Sequence, residues 1–217
     1  MLITYPTFKQ RIAKSRTILF RGHPLGRRDT GALNKVRYDW KIAEQEAISW
    51  LDVYRLALSE NMNLLTTAEK GVPLSAVTWA IEYGIPVDIF LPYERAMFVS
   101  EWVVYGDNQK KWLAQFEKAQ EAKNVLIHTP ILFSSKKDVL YSEISVDDFV
   151  LYAEIDEFLV TALTENDEAI LYWDGYQRDI KHVFNLCKQK DITIKVLNKG
   201  LETSDTRYSP YSMDYTF

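Results

Sequence analysis

The chain is poor in sulfur, imidazole and long apolar stretches. Cys187 is its only cysteine, so neither an internal disulfide nor a thiolate metal site can form. The three histidines, His23, His128 and His182, fall on different elements and never at the i, i+4 spacing of a helical metal pair, so no metal is expected. The longest apolar runs, residues 149–153 and 169–173, have five members. A membrane-spanning helix needs about 20, and the first twenty residues have no signal-peptide core. Eight Gly and seven Pro are too few for a collagen-like or linker composition. Basic residues number 26 against 30 acidic, a net charge of −4, which excludes a nucleic-acid binder working through bulk charge. The expectation is a soluble cytoplasmic protein with no membrane and no nucleic-acid partner.

What the 217 residues do contain is apolar content of 47%, enough for a packed core. Short β-type runs alternate with helical periods, the pattern of a parallel sheet covered by helices. Strands are expected over 17–20, 63–66, 87–91, 125–128, 169–173 and 193–197. Helices are expected over 39–61, with Asp39 as N-cap, and over 74–83, with Gly84 as left-handed C-cap. Further helices are expected over 96–105, 107–123, 147–163 and 178–190. About six strands with helices between them predict one three-layer α/β domain of doubly wound type over 1–201, with a tail over 202–217. Cys187 lies on the stripe Ile180, Val183, Phe184 and is read as core. Aromatic content of 13%, with six Trp, points to a homo-oligomer.

Doubly wound sheets bind ligands beyond the carboxyl ends of their strands, near the switch in strand order, and four features fall there. After the first strand comes Arg-Gly-His-Pro-Leu-Gly-Arg-Arg: Gly22 and Gly26 let backbone approach a ligand, with His23 between them, and Arg21, Arg27 and Arg28 suit phosphate. The alternative is a solvated loop with paired arginines. The spacing matches neither a dinucleotide fingerprint nor a Walker loop, so no cofactor is expected. After the second strand, Thr66, Thr67 and Glu69 could cradle an anion, hold ribose hydroxyls or supply a base, or else form an ordinary capped turn. After the fifth, Trp173-Asp174-Gly175 puts a carboxylate at the sheet edge ahead of Arg178, or is a common Asp-Gly turn. Finally, Asp156 lies on the apolar side of its helix, between Leu163 and Phe149, where a carboxylate is costly unless paired or lining a cleft; the alternative is a helix whose ends are partly exposed.

In this order the segments resemble the SLOG superfamily, the Rossmann-like group that includes DprA, the LOG phosphoribohydrolases and the YpsA-like proteins, the last being the nearest in pattern. The resemblance rests on Phe20-Arg21-Gly22-His23-Pro24, on Tyr83-Gly84-Ile85-Pro86-Val87 followed by Phe90-Leu91-Pro92, on Trp112 through Ala119 to Asn124-Val125-Leu126-Ile127, and on Trp173-Asp174-Gly175. It covers about residues 16–198. Thr66 to Gly71 replace the Gly-rich turn with an Asp, and Tyr176-Gln177-Arg178 replace a Gly-Gly-Thr stretch. The resemblance implies a nucleotide or nucleotide-derived ligand, with Arg21, Arg27 and Arg28 at its phosphate, Thr66, Thr67 and Glu69 along the middle of the cleft, Asp174 and Gly175 at the sugar end, and Gly22, His23 and Arg178 as further ligand-binding residues. A second reading is an N-glycosidic-bond enzyme of phosphoribohydrolase or deoxyribosyltransferase type, with Glu69 or Asp174 catalytic and Asp156 assisting. A third is a degenerate scaffold acting through a protein partner by its aromatic tail, Tyr208, Tyr211, Tyr215 and Phe217.

Overall fold

A computed structural model describes residues 15–22, 37–58, 62–92, 94–104, 108–129, 148–173, 178–199 and 201–202. Six strands form one parallel sheet: β1 (Arg16–Gly22), β3 (Met62–Thr66), β4 (Val87–Phe90), β5 (Val125–His128), β6 (Glu168–Tyr172) and β7 (Thr193–Leu197). Their spatial order is β5-β4-β3-β1-β6-β7, and every neighbouring pair is parallel. The chain therefore builds outward from β1 to β5, crosses back, and resumes on the other side of β1 with β6. The switch in strand order lies between β1 and β6, where Phe20 faces Ile170 and Gly22 faces Tyr172. This is the Rossmann-like three-layer arrangement expected from the apolar runs.

Side-chain parity divides the core into two layers. Ile18, Phe20, Leu64, Val87, Ile89, Ile170 and Tyr172 pack on α1 (Trp40–Leu58), α2 (Val72–Glu82) and α4 (Gln109–Glu121). Leu19, Leu65, Phe90, Ala169 and Leu171 turn to the other face and pack on α5 (Asp148–Ala162) and α6 (Arg178–Gln189). Buried Cys187 belongs to this second layer, as its helical stripe predicts. Ile18, Leu65, Ile89, Ile127, Leu171 and Val196 all lie in strands. Among the described residues no helix is long and apolar enough to cross a membrane.

Helix ends follow local chemistry. The Asp39 carboxylate accepts from the Lys41 and Ile42 amides at 3.1 and 3.3 Å, capping α1. Gly84 has φ +66 just beyond α2, the left-handed conformation its position predicts. Lys190 donates to the carbonyls of Val160, Thr161 and Leu163, closing the end of α5 from α6's side. Two details depart from expectation. The helix expected over 96–105 is a short α3 (Arg95–Phe98) running into a π-helical turn, Val99–Val103. A two-stranded antiparallel ribbon, β2 (Arg37–Tyr38) with β8 (Leu201–Glu202), is too short for any periodic signal. The aromatic residues expected in a tail lie outside the described residues.

Nothing lies within 4 Å of a Cβ built on Gly84. Gly84→Ala should therefore cost about 1 kcal/mol through backbone conformation alone, and Gly84→Asn less. Urea unfolding of both variants measures this.

Candidate functional site

The carboxyl ends of β1 and β3 carry a charged cluster inside the protein. Arg21 is the penultimate residue of β1 and shares the parity of Leu19, so its side chain leaves the sheet on the face covered by α5. Its Nε donates to Asp156 Oδ1 at 2.8 Å and its Nη2 to Asp156 Oδ2 at 3.2 Å, a bidentate pair with α5. Its Nη1 donates to Thr67 Oγ1 at 2.6 Å and to Glu69 Oε1 at 2.7 Å. The Thr67 hydroxyl in turn donates to Glu69 Oε2 at 2.6 Å. The Tyr152 ring lies 5.0 Å from the guanidinium carbon. Arg21 and Asp156 are 0% exposed and Glu69 2%, so these charges are desolvated in full.

The loop joining β3 to α2 is shaped to meet this arginine. Ala68 adopts φ 59 and Gly71 φ 111; the first is a conformation that side-chain-bearing residues adopt at a cost of roughly 1–2 kcal/mol. The Thr66 hydroxyl accepts from the Ala68 amide at 3.4 Å. The Lys70 amide donates to the Trp102 carbonyl, 3.0 Å away in the π-helical turn, and Trp102 meets Tyr152 edge to face at 4.8 Å. Residues 66–76 are all buried, the Lys70 side chain included. Gly22 ends β1 with no room for a side chain: a Cβ would sit 3.2 Å from Tyr172 Cβ and 3.4 Å from Pro73 Cγ at the start of α2.

A second polar group lies on the same face of the sheet. Asp88 of β4 is fully buried; its Oδ1 is 2.6 Å from His128 Nε2, and Asn63 Nδ2 donates to its Oδ2 at 3.4 Å. The His128 ring stacks on Phe90 at 4.4 Å.

Arg21, Thr67, Glu69 and Asp156 are thus brought together, with Thr66 and Gly22 beside them. Arg178 opens α6 at the end of the loop that follows β6. His23, Arg27, Arg28, Asp174 and Gly175 lie outside the described residues. The Arg21 guanidinium is bound by two carboxylates and a hydroxyl, which compensate its charge and tie loop 67–71 to α5. Asp156 and Glu69 are likewise engaged in holding that arginine. Tyr152, Trp102, Lys70 and Asp88 were not singled out by the sequence; only Asp88, a carboxylate inside the strand Val-Asp-Ile-Phe, carried a local signal. Among the described residues no cluster of His, Cys, Asp and Glu could hold a metal.

Two titrating groups register the packing around the sheet. Burial pushes the Cys187 thiol up to about 12, the Asp156 carboxylate adding to the rise and Lys190 opposing it. Burial, then a hydrogen bond and charge from Glu168, also raise Tyr54. Because both folded-state values lie above the unfolded ones, the stability these groups contribute is complete below about pH 9 and is lost as pH rises beyond it. The urea midpoint should fall between about pH 8 and pH 10.5, and fall less in Cys187→Ala. Breaking the arginine cluster should be severe: Arg21→Met or Asp156→Ala is expected to cost about 3–5 kcal/mol by leaving buried charge uncompensated. Replacing Arg21, Glu69 and Asp156 together by Met, Gln and Leu should restore most of that loss in chemical denaturation.

Compared with protein-family models, curated proteins and solved structures, the chain matches none of them.

Proposed function

We propose that this chain binds a phosphorylated nucleoside, or a small molecule derived from one, at the carboxyl edge of its sheet beside the β1–β6 switch. The observation that carries the reading is the buried Arg21–Asp156–Glu69–Thr67 cluster at that edge. Replacing such a group by well-packed apolar side chains is often neutral or stabilising, so the cluster fits a role in fixing geometry for a ligand better than one in stability. The strained Ala68 and the π-helical turn next to it agree with this, since both kinds of irregularity cluster at functional sites. The likeness to the SLOG superfamily is proposed on the same segments.

In this reading Arg21 forms the floor and does not touch the phosphate. Arg27 and Arg28, which follow β1 in sequence, hold the phosphate together with backbone near Gly22 and with His23. Thr66, Thr67 and Glu69 are assigned to the middle of the ligand, and Asp174, Gly175 and Arg178 to its sugar. A second reading, cleavage of an N-glycosidic bond, is favoured by Glu69 and Asp156 sharing one guanidinium, an arrangement that holds two carboxylates close together. Glu69 or Asp174 would then be the reacting group.

The test is a thermal-shift panel of ribonucleoside and deoxyribonucleoside 5′-monophosphates and dinucleotides, with chromatography for released base. A ligand at about 100 times its Kd stabilises by roughly 2.7 kcal/mol, a Tm rise of about 5–10 °C for this size. The Arg27→Ala/Arg28→Ala pair should weaken binding about tenfold or more, from the 1.5–3 kcal/mol of charged hydrogen bonds. Binding with no base release supports the first reading, and base release lost in Glu69→Gln supports the second. No shift with any member of the panel overturns both.

A further inference from the structure

The last turns of α1 leave Val53 and Leu56 54% and 74% exposed, whereas the earlier outer positions of the helix include the polar Gln45 and Ser49. Tyr83, at the end of α2, is 49% exposed. Val53, Leu56 and Tyr83 are three of the six large hydrophobic residues exposed among the described residues, gathered where α1 and α2 end. Beside Leu56 lies a pocket of about 560 Å³ at the amino edge of β3 and β4, floored by Met62, Ile85 and Pro86. It is at the opposite end of the strands from the arginine cluster.

Charge on this patch comes as an adjacent pair. Arg55 lies flat over the Tyr83 ring at 4.1 Å, and its Nε is 3.6 Å from Asp52 Oδ1, a loose contact. Asp52 is held by the Trp79 indole N–H at 3.0 Å. Both charged side chains remain about one-third exposed, 32% for Arg55 and 37% for Asp52. The patch thus carries a protruding knob (Leu56), a socket beside it, and one charge of each sign.

We propose that this face is the interface between two copies of the chain. A two-fold axis beside the end of α1 makes such a surface complementary to itself. Leu56 of each copy enters the other's pocket, and Arg55 of each copy meets the partner's Asp52, the reciprocal pairing that isologous contacts require. A partner of a single charge sign would leave one of the two groups opposed. Tyr83, Arg55 and Leu56 supply the aromatic, arginine and apolar anchors that interface centres use.

The experiment is light scattering and sedimentation of the full chain across about 1–100 µM, a range bracketing ordinary micromolar dimers. The expected mass is twice 25.3 kDa. Leu56→Asp should weaken dimerisation by roughly 30-fold or more, as removal of an interface anchor does. Leu126→Asp, on edge strand β5 and facing the other side of the sheet, should leave it unchanged. Arg55→Asp and Asp52→Lys should each be monomeric and folded by circular dichroism, and an equimolar mixture should recover the dimer. A wild-type monomer throughout the range overturns the proposal and leaves the pocket to a different occupant. A dimer indifferent to Leu56→Asp, or a mixture of charge variants that stays monomeric, overturns it equally.

Discussion

A guanidinium with no access to water must be compensated on the spot, and that requirement organises the carboxyl end of this protein. Arg21 draws one carboxylate from α5 and another from the loop after β3, with Thr67 bridging to the second. Three segments far apart in sequence therefore meet at one ion. Taking charges out of water is expensive enough that the net stabilisation from such a group is small or negative, whereas the geometry it imposes is narrow. Asp156 is met by two guanidinium nitrogens, and Glu69 meets both Arg21 and Thr67 from a loop in which the intervening Ala68 is left-handed. The cluster thus contributes position more than stability.

The sheet's topology explains why that position matters. Connections between β1 and β5 run over one face and those from β5 to β7 over the other, so the chain parts on either side of β1. Ligands of such sheets sit beyond the strand ends at this switch. Arg21 is the penultimate residue of β1, and Trp173 directly follows β6. The ion cluster thus fixes the carboxyl end of β1 where the strand order reverses.

How much of this could be read in the residues depended on how local the signal was. Each buried parallel strand is a short apolar run, so all six were legible, and Asp39 and Gly84 marked helix ends through their own side-chain and backbone chemistry. Asp156 was legible as an anomaly, a carboxylate on an apolar stripe that needed a partner. The partner was not legible. Arg21 stands 135 residues away from Asp156 and 48 from Glu69, and nothing near either names the other. An arginine next to a glycine-rich stretch reads as a phosphate ligand until its strand parity turns it toward α5. The π-helical turn at Val99–Val103 was hidden because one extra residue per turn does not disturb an apolar pattern only five residues long.

The place of β1 also has a consequence for the order in which the protein can be completed. This strand is near the amino terminus yet central, and its neighbour on one side is β6, with Ile18 opposite Glu168. During synthesis β1 can pair with β3 early, but its other edge stays open until about 150 further residues have left the ribosome. Over that interval a strand edge is unpaired, and Arg21 lacks Asp156. Pairings so distant in sequence are slow to close, and open edges invite association with other chains. Between the synthesis of β1 and that of β6, the nascent chain therefore carries an uncovered edge on the strand that ends up central.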